Sequence, residues 1–175
     1  MDPYLQNQLL EMCEFTKDQK WDLKYRATRD GFKASDFHSH CDGIPNTLTV
    51  IKAKSGNIFG GFTEQEWHSR GGFVTDPNAF IFSLVNKEEN PFRVFCSNGG
   101  KEALRCNSTR GPCFGGDGTS FRDISMNTDS YNKKSFCDFG YSYQHPDYLK
   151  DTDNAKNILA GSLFFETMEI EVYAK

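Results

Sequence analysis

Apolar and polar residues alternate along several short segments of the chain, and a period of two is typical of β-strands. In WDLKYRA, residues 21–27, apolar side chains alternate with charged ones, which predicts a half-buried strand. Residues 47–53 and 58–63 have the composition of two more strands, and Gly56 in the turn between them predicts a β-hairpin. The almost entirely apolar run AFIFSLV, residues 79–85, predicts a strand buried on both faces.

The second half of the chain contains further strand patterns between turns. The predicted strands occupy residues 92–96, 102–107, 121–126, part of 134–143, and 162–175. We expect the first two to continue from residues 79–85 as an antiparallel meander. In the last one, Met168 belongs to the apolar face, whereas Glu169 and Glu171 belong to a face that we expect to be solvated.

An N-terminal helix is predicted over residues 3–20, because a proline suits its first turn and Leu5, Leu9 and Met12 share one face. This apolar stripe packs either on the protein's own sheet or against another chain or region. A third alternative is that the helix ends a longer helical or coiled-coil segment.

Strands dominate the pattern, short turns join them, and strands and helices do not alternate. Sixteen phenylalanines among 175 residues indicate an aromatic core, and aromatic residues favour strands. We therefore expect a mostly β fold of the α+β class, an antiparallel β-sandwich surrounded by short helices. Residues 1–20 are the helical segment and residues 21–175 one domain, with long loops over 64–78 and 127–157.

The composition argues against several classes of partner. The net charge is -4 and no polybasic run occurs, so we expect no nucleic-acid partner. No apolar stretch approaches the ~18 residues that a membrane span needs, so we expect no direct membrane insertion. Residues 1–15 lack the basic start and apolar run of a signal peptide, and we expect a cytoplasmic protein.

The six cysteines are scattered without a CxxC pair, which favours reduced, mostly buried thiols over a disulfide framework. A scavenger that depends on these thiols is one minor functional hypothesis. The triplet at Asn107 is a formal glycosylation sequon, which we discount without a secretory signal.

Two FGG triplets, at residues 59–61 and 114–116, raise the question of phosphate-binding loops. A P-loop needs G-x-x-x-x-G-K-[ST] between a strand and a helix, and neither triplet has the lysine, the hydroxyl or an obvious following helix. The dinucleotide pattern G-x-G-x-x-G fails in its spacing. We instead expect these glycines to allow bends and close packing in a β-fold.

The segment FHSHCDG, residues 37–43, predicts a short helix with Ser35 as its N-cap and Gly43 at its end. Its residues of the types that ligate zinc are His38, His40, Cys41 and Asp42. Only His38 and Cys41 share a helix face, and a structural zinc site needs four ligands. We therefore expect no metal here, but a half-buried histidine and a core cysteine.

An enzyme is the alternative function. Nucleophilic catalysis needs a serine or cysteine beside a histidine with an orienting carboxylate, and no G-x-S-x-G elbow is present. The residues that would carry a hydrolytic or redox reaction, if they meet in one open cleft, are His38, Cys41, Asp42 and Glu166.

Five ordered motifs together resemble one known family. They are DGF…FHSHCDG, TLTVIKAKSGNIFGGFTEQEW, DPNAFIFSL, GPCFGGDGTSFRDISM and ILAGSLFFETMEIEV, and they are similar to the TLDc domain of the oxidation-resistance proteins. The resemblance runs from about Trp21 to the C-terminus and implies a two-sheet β-sandwich with flanking helices. The motif positions that it marks as structural are Gly60, Gly61, Trp67, Gly115, Gly116, Asp123 and Gly161.

The resemblance also implies a function. We expect a non-enzymatic protein-interaction domain, without cofactor or metal, that is linked to resistance to oxidative stress. Several members of the family bind the cytosolic sector of the vacuolar proton-pumping ATPase, so subunits of this pump are the implied partner. Residues 91–107 and 127–157 fit the family only loosely, and such loops set the choice of partner.

Overall fold

The computed structural model describes residues 2–16, 18–118 and 120–175. Met1, Lys17 and Thr119 lie outside them, Lys17 within the predicted N-terminal helix. The helices α1 to α4 are Pro3–Met12, Ala27–Asp30, Ala34–Cys41 and Asp153–Ile158. The strands β1 to β12 are Asp22–Arg26, Thr47–Ala53, Ile58–Thr63, Gly72–Val74, Phe80–Val85, Phe92–Phe95, Leu104–Cys106, Cys113–Phe114, Ile124–Ser125, Ser135–Phe136, Phe164–Phe165 and Thr167–Ala174.

These strands form two antiparallel sheets. The first sheet has the order β1-β12-β2-β3-β5-β6, and the second has the order β11-β10-β9-β8-β7-β4. The predicted mostly β fold of the α+β class, with a two-sheet antiparallel sandwich and short helices, is confirmed. Among the described helices, none has the length and apolar character that a membrane crossing requires.

Side chains from both sheets meet in the main core. Phe59 of β3 and Ile81 of β5 pack in one cluster with Leu104 of β7 and Phe114 of β8, and all four are fully buried. The ring of Phe114 lies directly over Gly61, where an added Cβ would come within 2.7 Å of it. The absence of a side chain at position 61 therefore allows the two sheets to approach each other here.

Trp67 extends this contact towards helix α3. Its ring meets Phe114 edge-on at a centroid distance of 5.5 Å, and Phe37 of α3 at 5.3 Å. The indole Nε1–H donates to Oγ1 of Thr47 at 2.9 Å, which satisfies the polar atom of a ring that is 1% exposed. The tryptophan thus joins α3 to both sheets.

Helix α1 covers the other face of the first sheet. Leu9 is buried in a second cluster with Phe62 and other side chains of β2, β3 and β5, so the apolar stripe packs on the protein's own sheet. The helix ends at Met12 instead of residue 20, because Glu14 has a left-handed backbone with φ 58. Arg93 of β6 lies 3.1 Å from the Glu14 carboxylate and holds this segment against the sheet.

Several predicted connections differ in the structure. Strands β6 and β7 lie in different sheets, so the expected meander is interrupted at the 3-10 turn Asn98–Gly100. The loop predicted over 64–78 contains β4, and the end of the stretch 127–157 belongs to α4. The strand predicted over 121–126 is reduced to the two residues of β9. Such short strands depend on partners in the sheet rather than on local periodicity.

The prediction for the two faces of β12 was right for Ile170 and Val172, which are buried, and wrong for Met168 and Glu171. A β-bulge at the start of the strand turns Met168 outwards, where it is 49% exposed. Glu171 is buried instead of solvated, and its Oε1 accepts a hydrogen bond from Nη2 of Arg26 at 2.7 Å. Its Oε2 accepts from the hydroxyl of Tyr173 at 2.8 Å, so the buried carboxylate has partners on both oxygens.

The first FGG triplet yields a test of the packing. A Cβ at Gly60 would lie 1.9 Å from the carbonyl oxygen of Thr49 on β2 and 3.0 Å from the ring of Phe82. The backbone of a central strand cannot move away, so we expect Gly60→Ala to lower the free energy of unfolding by about 3 kcal/mol. Urea unfolding followed by tryptophan fluorescence measures this loss.

The matched control for that variant is Gly71→Ala. Gly71 has φ 83 but no atom within 4 Å of an added Cβ, so only backbone strain of about 1 kcal/mol is expected. Equal losses in the two variants would contradict the proposed clash with Thr49.

Candidate functional site

Helix α3 carries most of the predicted candidate residues. The backbone N–H of Lys33 donates to Oδ2 of Asp36 at 3.0 Å, so Lys33 is the N-cap and the assignment to Ser35 was wrong. After the helix, the backbone N–H of Gly43 donates to the carbonyl oxygen of Trp67 at 2.9 Å. Both ends of α3 are therefore fixed.

His38 is almost fully buried, and both of its ring nitrogens have partners. Nδ1 lies 2.6 Å from Oδ1 of Asp42, and Nε2 lies 2.9 Å from the carbonyl oxygens of both Asn107 and Arg110. The carbonyl oxygens can only accept, so Nε2 donates. His38 thus fastens the loop 107–110 to α3.

The order of the polar groups around Asp42 differs from that of a catalytic triad. Its Oδ2 accepts a hydrogen bond from the hydroxyl of Ser69 at 2.6 Å, so the carboxylate stands between serine and histidine. In a triad the imidazole takes that middle place. With Nε2 engaged by two backbone carbonyls, His38 has no nitrogen left to take a proton from a nucleophile.

Cys41 and Glu166 do not complete an active site. Cys41 is enclosed in the main core, and burial raises the pKa of its thiol well above the usual range. Glu166 is half exposed, and its ion pair with Lys54 at 2.9 Å lowers the pKa of the carboxyl. The structure joins His38 to Asp42 only, so the enzyme hypothesis gains no nucleophile–base pair from these four residues. Across 2–16, 18–118 and 120–175, no group of three His, Cys, Asp or Glu side chains could hold a metal ion.

The second FGG triplet makes room for two consecutive side chains. Gly115 has φ 72, and a Cβ there would lie 1.9 Å from Oδ2 of Asp123. A Cβ at Gly116 would lie 2.8 Å from Cδ of Arg122. Asp123 is buried, whereas Arg122 is only half buried. Gly115 therefore makes room for a side chain of the core, and Gly116 for a side chain near the surface.

Asp123 organises a buried loop. Its Oδ1 accepts from the backbone N–H groups of Gly140 and Tyr141, and its Oδ2 accepts from that of Ser142, each at 2.9 Å. Burial raises the pKa of Asp123 to about 7, and these hydrogen bonds oppose part of the rise. The carboxyl group therefore links the approach to β9 with residues 140–142.

Gly161 lies where the segment after α4 meets the β2–β3 hairpin. The side chain of Asn57 donates to the carbonyl oxygen of Leu159, and the hydroxyl of Ser55 donates to that of Ala160, each at 3.0 Å. A Cβ at Gly161 would lie 3.3 Å from Oδ1 of Asn57. The close approach of the turn leaves little space for a side chain here.

A polar cleft of about 300 Å³ opens on the outer face of the second sheet. Its lining includes Arg105, Asn107, Thr109, Arg110, Cys113, Arg122, Ser125 and Phe136. The guanidinium carbons of Arg105 and Arg122 lie 5.0 Å and 5.5 Å from the ring centroid of Phe73. This one ring therefore makes cation–π contacts with both arginines.

No motif in the sequence predicts this cleft, because its three arginines are spread over residues 105–122 without a basic run. Only the pairing of β7, β8 and β9 brings them together. The loop that carries Arg110 is the one that His38 fastens to α3. His38 therefore belongs to the support of the cleft.

Asp123 predicts a pH-dependent stability. The unfolded carboxyl releases its proton near the ordinary value of 3.8, whereas the folded one retains it up to about 7. The folded state thus binds more protons between these values, and the contribution of Asp123 is present at low pH and lost as the pH rises through this window. We expect a slope of at most about 1.4 kcal/mol per pH unit in the free energy of unfolding.

Urea unfolding between pH 4.5 and 8 measures this slope in the wild type and in Asp123→Asn. The variant is expected to be less stable at pH 5, because an amide nitrogen would face the N–H of Ser142, and to lack this part of the slope. Exposed Asp22→Asn is the matched control and keeps the wild-type slope. An unchanged slope in Asp123→Asn would contradict the assignment.

Comparison with known proteins places these features in a family. Among curated proteins, the chain is similar to the MTOR-associated protein MEAK7 of Mus musculus, with 30% identity over 67 residues. The matched segment covers 38% of this chain and 15% of the length of that relative. A family model of the TLDc domain matches residues 1–175. TLDc domains are non-catalytic protein-interaction modules related to oxidative stress, and this chain belongs to the TLDc domain family.

Proposed function

We propose that this TLDc domain acts in the cytoplasm as a non-enzymatic interaction domain in resistance to oxidative stress. Its proposed partner is the cytosolic sector of the vacuolar proton-pumping ATPase. The observation that carries the proposal is the family match over residues 1–175. The bonding of His38 is consistent with it, because every polar atom of that ring is engaged in holding the fold.

Exposed large apolar side chains are concentrated in the C-terminal third of the chain. Within the described part of the chain, five of the seven exposed large apolar side chains follow residue 120. They are Phe121, Tyr131, Leu149, Phe164 and Met168. Tyr131 and Leu149 belong to the stretch 127–157, which fits the family only loosely. Loops carry binding residues more often than the strands that they connect, so Tyr131 and Leu149 are the side chains that we assign to the contact.

The pump is tested by a pull-down from cell lysate with the tagged domain. We expect recovery of pump subunits, and a several-fold lower yield with Leu149→Ser, because Leu149 is 64% exposed and its replacement removes apolar contact area. Tyr4→Ser is the matched control, since Tyr4 is 72% exposed but lies at the other end of the chain. Quantitative mass spectrometry compares the yields.

A positive control shows whether the lysate contains pump subunits that a TLDc domain can recover. A TLDc protein known to bind the pump is run in parallel. If it recovers pump subunits and this domain recovers none, the partner proposal is wrong. Recovery of the mTOR kinase in place of pump subunits would also contradict it, and would relate this domain to its MTOR-associated relative.

The thiol-scavenger hypothesis makes a different prediction. All six cysteines are free and buried in the structure. Burial raises the pKa of Cys13 to about 12, and those of Cys96 and Cys106 to about 11. We therefore expect no rapid reaction of the native protein with Ellman's reagent at pH 8, and six reactive thiols after denaturation. A thiol that reacts within minutes in the native protein would favour the scavenger.

A further inference from the structure

The polar cleft on the second sheet has the composition of an anion site. Arg105 projects from β7, Arg110 from the loop that follows it, and Arg122 from the segment before β9. None of the ion pairs that the structure describes involves Arg105 or Arg110. Two guanidinium groups are therefore available to a ligand, in a chain whose net charge is -4.

The three positive charges act on one another. Burial is the main cause that lowers the pKa of Arg122, and the positive charges of Arg105 and Arg110 lower it further. The carboxylate of Asp117 raises the pKa of Arg122. Its one negative charge is fewer than the three positive charges of the arginines. An anion in the cleft would relieve this repulsion.

Contacts with neighbouring residues fix the positions of the arginines in the cleft. The ring of Phe73 and the space left by Gly116 fix the positions of Arg105 and Arg122. The two hydrogen bonds from His38 to the loop 107–110 fix the backbone of Arg110. A planar guanidinium fork held in place loses little freedom when it binds a ligand.

We propose that this cleft binds a phosphoryl group, presented either by a phosphorylated side chain of a protein segment or by a small phosphate-bearing molecule. A phosphoryl group has three terminal oxygens and up to two negative charges, and it therefore suits a cleft lined by several guanidinium groups better than one carboxylate does. Phe136 lines the cleft, and its ring contacts the exposed ring of Phe164 at 6.3 Å. This apolar flank suits the residues beside a phosphorylated side chain.

The proposal goes beyond the interaction with the proton pump and holds whether or not the pump is a partner. Its test uses only the purified protein. Isothermal titration calorimetry at low ionic strength compares three probes: inorganic phosphate, a peptide with one phosphoserine and no other charged side chain, and the same peptide without the phosphate. We expect the first two to bind and the third not to bind, with an affinity that falls as salt is added.

Variants assign the binding to the cleft. Arg105→Gln and Arg110→Gln are each expected to weaken binding of the phosphorylated probe at least about tenfold, because each removes a charged fork. Arg110→Lys is expected to give an intermediate affinity, since lysine keeps the charge but not the fork. Arg70→Gln is the matched control. It removes the same charge, but Arg70 is exposed and lies outside the cleft.

Nuclear magnetic resonance makes the test independent of the folding of any variant. In the wild type, inorganic phosphate is expected to shift the amide signals of residues 105–110 and 122–125. Tighter binding of the phosphopeptide than of phosphate identifies a protein segment as the source, and equal binding identifies a small anion. The absence of binding by both probes at millimolar concentration, or equal affinity in Arg110→Gln and Arg70→Gln, would overturn the proposal.

Discussion

The ring of Phe114 occupies the space that any side chain at position 61 would need, and the packing of the two sheets depends on this contact. The two FGG triplets thus meet, since the phenylalanine of the second lies on a glycine of the first. Trp67 packs against the same ring and carries the contact on to Phe37 of α3. A pattern that resembles two ligand loops is in fact one interface inside the sandwich.

The second triplet also separates two chemical environments. Gly115 leaves space for the buried carboxyl group of Asp123. Gly116 leaves space for the aliphatic part of the Arg122 side chain beside the polar cleft. Neighbouring residues on one short segment therefore contribute to the core and to the surface. The same division holds around His38, whose ring is buried while the loop that it fixes lines the cleft. The interior of this domain determines where its surface charges lie.

Local pattern predicts the parts of this fold whose partners are near in sequence. The β2–β3 hairpin follows from strand composition and from Gly56 in the turn, and the burial of β5 follows from its apolar run. The strands of two or three residues, the transfer of the chain between sheets after β6, and the bulge at Met168 depend on distant pairing. Periodicity along the chain contains no information about such partners.

The candidate site shows the same limit, because His38 is 69 residues from Asn107 and no motif joins them. That bond has a spectroscopic consequence. One imidazole connects helix α3, through Asp42, with the backbone beside Arg110. Any displacement of the cleft wall changes the two hydrogen bonds at Nε2, and with them the nitrogen and proton resonances of a single ring. His38 is therefore a native reporter inside the domain for what happens at its surface.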